Sequence, residues 1–181
     1  MGTDSRGFTL LELIIIIGIL GMTMAFAAPG LSTMIKNNRI SSDANDFVAA
    51  LQFAKGEAAS RTNWVTMCKK NAAGTACVAG GDWQQGWIVF SDINGNAAVD
   101  AGDTVLLNHE ALHASITFGG TAGIANVVTY RPSGTTSINS TEILIICDDR
   151  DFADSAKGIL VTITGRGAVM KATDTGQGAC L

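Results

Sequence analysis

The sequence predicts an α+β fold in which a long N-terminal helix packs on an antiparallel β-sheet domain. Three observations lead to this prediction. The 181-residue chain has an apolar segment near its N-terminus, with no charged residue between Leu13 and Ile35. An amphipathic stretch follows, and beyond Arg61 the chain becomes a series of short β-like runs separated by glycine and polar turns. A helix followed by a run of strands is typical of α+β domains.

The composition excludes several classes of protein. Acidic residues outnumber basic residues by 16 to 12, and the net charge of -4 argues against a protein that mainly neutralises nucleic-acid phosphates. A hydrophobic content of 47% excludes a disordered chain. Because the apolar excess lies at one end of the chain, a polytopic membrane protein is excluded as well. One apolar segment and one soluble body remain.

The apolar segment has the length of a membrane-spanning helix but contains an acidic residue. A helix over residues 8–28 spans roughly 32 Å, enough to cross the ~30 Å hydrocarbon core of a bilayer. Glu12 lies within it, although a carboxylate near the middle of a membrane costs about 2.5–3.5 kcal/mol. A secretory signal peptide cleaved after Ala27, or a plain anchor, leaves Glu12 without a role. We therefore expect Glu12 to have a cationic partner.

The residues around Glu12 form a processing motif. Arg6-Gly7-Phe8-Thr9-Leu10-Leu11-Glu12, followed by the apolar segment, resembles the class III signal of type IV prepilins and pseudopilins. The resemblance implies that residues 1–7 are a leader, that a prepilin peptidase/methyltransferase cleaves between Gly7 and Phe8 and methylates Phe8, and that the helix is retained. Glu12 then lies one turn from the new terminus, and the terminal amine of a neighbouring subunit would pair with its carboxylate during assembly.

Residues 29–61 continue the helix with one apolar face. Gly18, Gly21 and Pro29 precede this face and weaken the helix. The apolar residues recur at steps of three and four, the spacing of a buried helical stripe: Met34, Ile35, Ala44, Phe47, Val48, Leu51, Ala54 and Ala58. We expect residues 8–28 to serve as the transmembrane and assembly half of the helix, and residues 29–61 to lie on the soluble domain.

Residues 62–181 are expected to form a β-rich globular domain. Eight runs have the composition of strands: 64–68, 86–90, 104–107, 115–118, 127–130, 142–147, 159–164 and 168–171. The stretch Thr162–Gly167 has the residues of a hairpin turn. The spacing between the runs predicts hairpins and meanders in an antiparallel sheet that covers the helix.

The four cysteines are expected to form disulfides, because a domain exported past the inner membrane meets an oxidising compartment. Three pairings are possible. We favour Cys68–Cys77, which closes a short loop, together with Cys147–Cys180, which ties the C-terminal tail to a strand. The sequence has no Cys-x-x-Cys, so a zinc–thiolate site is disfavoured.

The body resembles the minor-pilin and pseudopilin family that includes FimT, FimU and the H-type type II secretion pseudopilin. The resemblance rests on the helical run 46–61, on the Gly-Trp-Ile-Val-Phe strand at 86–90 and on the Ser-Asp-Ile-Asn-Gly-Asn that follows it. It implies a pilin-like fold and a structural subunit without enzymatic activity or a required cofactor. That subunit would prime type IV pilus assembly and sit near the pilus tip, in twitching motility, adhesion or DNA uptake. A type II secretion pseudopilin is the alternative.

The same resemblance implies partners and a location. The partners would be other minor pilins, the major pilin, the prepilin peptidase/methyltransferase and an inner-membrane assembly platform. The chain would first be a single-pass protein of the inner membrane of a Gram-negative bacterium, with a periplasmic C-terminal domain, and would later enter the pilus fibre.

The segment after residue 91 has the spacing of an EF-hand calcium loop. Oxygen-bearing side chains occupy loop positions 1, 3, 5, 9 and 12, namely Asp92, Asn94, Asn96, Asp100 and Asp103. It departs from that pattern twice, because alanine replaces the glycine at position 6 and aspartate replaces the glutamate at position 12. Since Asn-Gly and aspartate are also turn formers, a hairpin loop is favoured and a weak calcium site is the alternative.

The stretch from His109 to His113 reads His-Glu-Ala-Leu-His and matches the H-E-x-x-H motif of zinc peptidases. Such a site needs a helix and a third protein ligand. The chain has only these two histidines, and the region contains β-branched residues and no N-cap box. A loop or strand with two ordinary histidines is therefore favoured over a membrane-anchored zinc peptidase.

A DNA-binding role is the last alternative. FimT-type relatives are thought to bind DNA through a C-terminal Gly-Arg-x-Arg stretch, and here Arg166 is kept while alanine stands at the second arginine position. Arg166 and Lys171 are the candidate contacts, with Lys157 and Arg131 as neighbours that could converge on them. Aspartates at 148, 149, 151 and 154 favour a solvated mixed-charge surface instead.

Overall fold

The computed structural model of the protein describes residues 7–150 and 152–181, without the side chains of residues 25–29 and 154. The leader up to Arg6 and the acidic residue Asp151 lie outside this description. The chain divides into two units, residues 1–38 and residues 39–181, and helix α1 (Leu10–Arg61) contributes to both. None of the helices in the described residues combines the length and the apolarity that crossing a membrane requires.

Helix α1 begins and ends at local signals in the sequence. At its start the backbone N–H of Glu12 donates to Thr9 Oγ1 at 3.2 Å, so Thr9 acts as the N-cap of a Thr-x-x-Glu sequence. At its end Thr62 adopts a positive φ of 51°, and Asn63 N donates to Ala58 O at 3.3 Å. This is the bond of a Schellman-type C-cap. The helix therefore ends at Arg61, as the sequence predicts.

The strands form two four-stranded sheets rather than the one expected. They are β1 (Trp64–Lys69), β2 (Trp87–Asp92), β3 (Thr104–His109), β4 (Thr117–Gly120), β5 (Val127–Tyr130), β6 (Glu142–Cys147), β7 (Lys157–Val161) and β8 (Gly167–Lys171). The first sheet has the order β3-β2-β1-β5 and the second the order β4-β6-β7-β8. All pairs are antiparallel. A short helix α2 (Phe152–Ser155) lies between β6 and β7.

Two predicted strands are shifted, for identifiable reasons. The strand expected at 115–118 begins at Thr117, because the backbone N–H of Ile116 donates to His113 O in a turn, and it extends to Gly120. A Cβ at Gly119 would lie 2.4 Å from the backbone oxygen of Leu181. Only glycine allows the C-terminal residue to approach β4 this closely. The strand expected at 159–164 ends at Val161, since the hairpin turn begins at Thr162.

The C-terminal half of α1 packs against both sheets in one core. Its fully buried residues alternate at steps of four and three: Ile40, Ala44, Phe47, Leu51, Ala54 and Ala58. This confirms most of the expected stripe. Met34 and Ile35 were expected in the stripe but are 60% and 51% exposed. The expectation was wrong for these two because helical periodicity does not tell where the partner sheet stops.

Candidate functional site

The helical part of unit 1 presents apolar side chains to solvent on all sides. The large apolar residues between Phe8 and Ile35 are exposed by 40% to 78% wherever their side chains are described. They follow one another without a polar face, so that no single side of the helix could be buried against a sheet. A helix that is apolar all round needs other helices or lipid around it. This surface is the main candidate for intermolecular contact.

The predicted processing residues lie at the start of this surface. Gly7 and Phe8 precede α1, and Phe8 is 77% exposed. Glu12 occupies the first turn of the helix, where a carboxylate is favoured by the helix dipole. The carboxylate of Glu12 therefore also has a local role, because negative charge in the first turn stabilises the helix that Thr9 caps. The described contacts do not test its role between subunits, which stays a prediction.

The oxygen-bearing side chains of the calcium-like loop are used by the loop itself. Asp92 is fully buried, and its carboxylate accepts from the backbone N–H groups of Gly95 (2.7 Å) and Ala97 (2.9 Å) and from Thr66 Oγ1 (2.8 Å). Asp103 accepts from the backbone N–H of Ile93 at 3.0 Å. The loop turns because these carboxylates satisfy its backbone donors.

The other three members of the predicted calcium set also have internal partners. Asp100 Oδ2 accepts from the side-chain amides of Asn94 (3.0 Å) and Asn96 (2.6 Å), and these bonds hold the pKa of Asp100 below its usual value. The amide oxygens of Asn94 and Asn96 cap backbone N–H groups. Within residues 7–150 and 152–181, no three His, Cys, Asp or Glu side chains are placed to hold a metal ion. Calcium binding stays a prediction.

The H-E-x-x-H sequence does not lie on a helix. His109 ends β3, and His113 belongs to the connection to β4. The ring of His109 stacks on buried Trp87 with centroids 3.9 Å apart, and its Nε2 lies 3.9 Å from Asp46 Oδ2. His113 Nδ1 is bonded to Ser115 Oγ at 2.9 Å. The interpretation as strand and loop is confirmed, because the two imidazoles have separate structural partners.

Comparison with known proteins shows which family the chain belongs to. The model described as "Type II transport protein GspH" matches residues 43–167, and the model of the prokaryotic N-terminal methylation motif matches residues 3–28. The first match covers more than half of the chain. The chain belongs to the GspH family. No curated protein matches it.

Solved structures with this fold include minor pilins and a pseudopilin. The type IV minor pilin FimU of Pseudomonas aeruginosa has a TM-score of 0.59 at 18% identity, over 75% of this chain and 91% of FimU. A second crystal form of FimU gives 0.56 at 17% identity, over 74% and 94%. The minor pseudopilin EpsH of the Vibrio cholerae type 2 secretion system gives 0.51 at 11% identity, over 74% and 97%. At these identities the likeness concerns the fold.

The cysteines of this GspH-family domain form the two favoured pairs. Cys68–Cys77 closes a loop after β1, and Cys147–Cys180 joins β6 to the C-terminal tail. Each bond lies on the side of its sheet that faces away from α1, within or beside a small apolar cluster. The disulfides therefore hold down loops that the main core does not reach.

The candidate DNA-binding residues are brought together only in part. Arg166 precedes the first residue of β8 and Lys171 is its last residue, so that about 17 Å separates them along the strand. Lys171 lies opposite Lys157 in the β7–β8 register. Arg131 does not join them, because its guanidinium lies over the ring of Trp64, 5.5 Å from the centroid. The described surface offers a lysine pair and a separate arginine rather than one basic cluster.

Sequence reasoning missed a half-buried carboxylate on α1. Asp43 faces the histidine-bearing connection, and its Oδ2 is buried without a hydrogen-bond partner among the described residues. Burial, and then the neighbouring carboxylate of Asp46, raise the pKa of Asp43 above its usual value, against the opposing effects of His109, Arg39 and His113. No local signal marks this position, since an aspartate on a helix is ordinarily solvated.

It also missed two buried lysines. Lys69 and Lys70, at the end of β1, are 2% and 5% exposed. The ammonium group of Lys69 donates to the carbonyl oxygens of Gly81 and Ala79, and burial lowers the pKa of this lysine. Lys70 points into a cleft of about 650 Å³. Two adjacent lysines normally indicate an exposed strand end, so the sequence gives no hint of this burial.

Proposed function

We propose that this GspH-family chain is a minor pilin that primes type IV pilus assembly and is incorporated near the pilus tip. The observation that carries the proposal is the exposed apolar surface of α1 between Phe8 and Ile35, directly behind a methylation motif. In this proposal the segment is held in the inner membrane before assembly and is packed among the helices of other pilins afterwards. The periplasmic domain then caps the growing fibre.

Glu12 has the central role in this proposal. Its carboxylate pairs with the methylated terminal amine of a neighbouring subunit, which sets the stagger between the helices. The charge pair is formed in an apolar environment, where removing one partner costs far more than it does in water. Processing by the prepilin peptidase depends on Gly7 and Phe8 instead, so the two steps are separable.

The test combines processing and assembly. N-terminal sequencing of the mature protein should give methylated Phe8. Glu12→Gln should be processed but absent from purified filaments. Thr9→Ala is the matched control, because it removes the cap bond to Glu12 N and leaves the carboxylate in place. Equal loss of incorporation in both variants would reduce Glu12 to a helix-capping residue. A mature terminus near residue 28 would refute the pilin assignment.

A type II secretion pseudopilin is the second proposal. It is supported by the description of the matching family model and by the fold likeness to EpsH. The two functions use the same helix and differ in the filament that receives the subunit. Cross-linking in cells through a cysteine placed at Ser32, which is exposed on α1, should capture either pilus subunits or secretion pseudopilins. The identity of the captured partner decides between them.

DNA binding is a further proposal, supported by the exposed cations Arg166 and Lys171 at the two ends of β8. Neither Arg166 nor Lys171 has an ion-pair partner within the described part of the chain. If they bind phosphates, Arg166→Ala should weaken an electrophoretic shift at low salt, and added salt should abolish it. The absence of any shift at low salt would exclude this role.

A further inference from the structure

The cleft beside the Cys68–Cys77 loop has a buried cation at its base. The side chain of Lys70 is only 5% exposed, and its ammonium group donates to Asn108 Oδ1 at 2.9 Å and to Glu110 Oε2 at 3.1 Å. An ammonium group has three donors, and the third has no acceptor within the described residues. Lys70 thus brings a partly unsatisfied charge to a cleft of about 650 Å³.

The position of Lys70 is held from several sides. Its backbone N–H donates to Gly86 O, and its carbonyl accepts from Gln85 Nε2, both at 3.2 Å. A Cβ at Gly86, where φ is 92°, would lie 2.9 Å from Lys70 Cε. The aliphatic part of the Lys70 side chain therefore packs against the backbone at a position that only glycine can occupy. The backbone of Lys70 also forms an isolated antiparallel β-bridge with that of Cys77, whose disulfide closes the loop. The cation is therefore pre-organised.

The anion that faces Lys70 is not held in the same way. Glu110 is 85% exposed, contributes a single oxygen to the ion pair and follows the last residue of β3. An exposed carboxylate in an ion pair gains little over its hydration in water. A buried lysine, by contrast, needs an anion close by. A ligand carboxylate entering the cleft would replace Glu110 at little cost and would satisfy the same ammonium group.

From this asymmetry we infer that the cleft is a binding site for a carboxylate group, with Lys70 as its cationic contact and Glu110 as an internal competitor. Ala72, Val78 and Ala111 line the cleft and provide apolar walls for the aliphatic chain that carries the carboxylate. The carboxylate is either that of a small molecule or that of a glutamate side chain on another protein. The site lies in the globular domain and is independent of the assembly helix.

The test uses the full chain in detergent micelles, with ¹³C at the lysine ε-carbons, titrated with N-acetyl-L-glutamate. The Lys70 signal should shift and saturate, while that of half-buried Lys157 on β7, which does not line the cleft, should not. Lys70→Met should abolish saturable binding, and Lys157→Met should leave it unchanged. Glu110→Gln should tighten binding about two- to five-fold, because it removes the competing anion. This variant changes an exposed side chain, so its result does not depend on tolerance of a core substitution.

The same titration identifies the source of the carboxylate. A pentapeptide Ala-Ala-Glu-Ala-Ala, acetylated at its N-terminus and amidated at its C-terminus so that the glutamate side chain is its single carboxylate, assigns the site to a protein partner if it binds more tightly than N-acetyl-L-glutamate. Weaker binding of this peptide assigns the site to a small molecule. The Gln version of the peptide should not bind. The inference is overturned if neither probe shifts the Lys70 signal in the wild type or in Glu110→Gln. The inference is also overturned if the Glu110→Gln/Lys70→Met double variant still binds N-acetyl-L-glutamate more tightly than the wild type does.

Discussion

Replacing Phe47 by alanine should remove a large part of the stability of the globular unit. Phe47 is fully buried on α1, and its ring makes edge-to-face contacts with Trp83, Trp87 and Phe118 at centroid distances of 5.1, 5.1 and 4.9 Å. Core Phe→Ala changes cost about 3–5 kcal/mol, and aromatic pairs add roughly 0.5–1.5 kcal/mol each without adding fully. We expect a loss of about 4–5 kcal/mol.

Urea unfolding followed by tryptophan fluorescence measures this loss, because two of the three contacting rings are tryptophans. With a slope of about 2 kcal/mol per M, the midpoint should fall by roughly 2 M. Phe53→Ala is the matched control: the residue is on the same helix but is 36% exposed, so its midpoint should move by less than about 0.5 M. Equal shifts for the two variants would refute the assignment of Phe47 to the centre of the core.

Three further outcomes test other parts of the structure. Ala97 has a positive φ of 62°, so Ala97→Gly should raise the free energy of unfolding by about 0.5–1 kcal/mol, and a lower urea midpoint would contradict this. Folding raises the pKa of Asp43. At a pH above this raised pKa the carboxylate is ionised and lowers the stability of the folded state, whereas at a pH below the ordinary pKa of aspartate it is protonated and has no such effect. Asp43→Asn should therefore raise the melting temperature at about pH 7 and not at about pH 4, and a constant difference would argue against the burial of this charge. The Cys147→Ser/Cys180→Ser pair should cost about 3.8 kcal/mol, as expected for a bond of sequence separation 33, and an unchanged midpoint would show that the tail is held by packing alone.

Much of the fold could be predicted because it depends on local patterns. The end of α1 at Arg61 follows from the loss of helical periodicity, and the stripe around Phe47 follows from steps of three and four. The hairpin turn after β7 follows from Thr162 and Gly165, the latter with a φ of 76°. The motif from Gly7 to Glu12 is read directly from neighbouring residues. In each case the signal lies within one turn or one strand.

The candidate sites were less predictable because their chemistry depends on distant partners. The spacing of Asp92 to Asp103 favoured a hairpin loop and left a weak calcium site as the alternative. It did not predict which groups these carboxylates bind, namely the backbone of their own loop and, in the case of Asp92, the hydroxyl of Thr66 on a neighbouring strand. The cleft at Lys70 was not expected at all. It brings together the end of β1, the end of β3 and a disulfide-closed loop, and no sequence pattern links these segments.

The sequence by itself determined the processing motif, the extent of α1, the set of strands and the membership of a pilin-like family. Each of these depends on periodicity and residue types within a short window. Only the tertiary structure decided that the strands divide into two sheets, that Asp43 Oδ2 is buried without a hydrogen-bond partner among the described residues and that Lys70 lies at the base of a cleft. Strand pairing and the burial of charge are set by contacts between residues far apart in the chain, and short strands of similar composition do not encode their own neighbours.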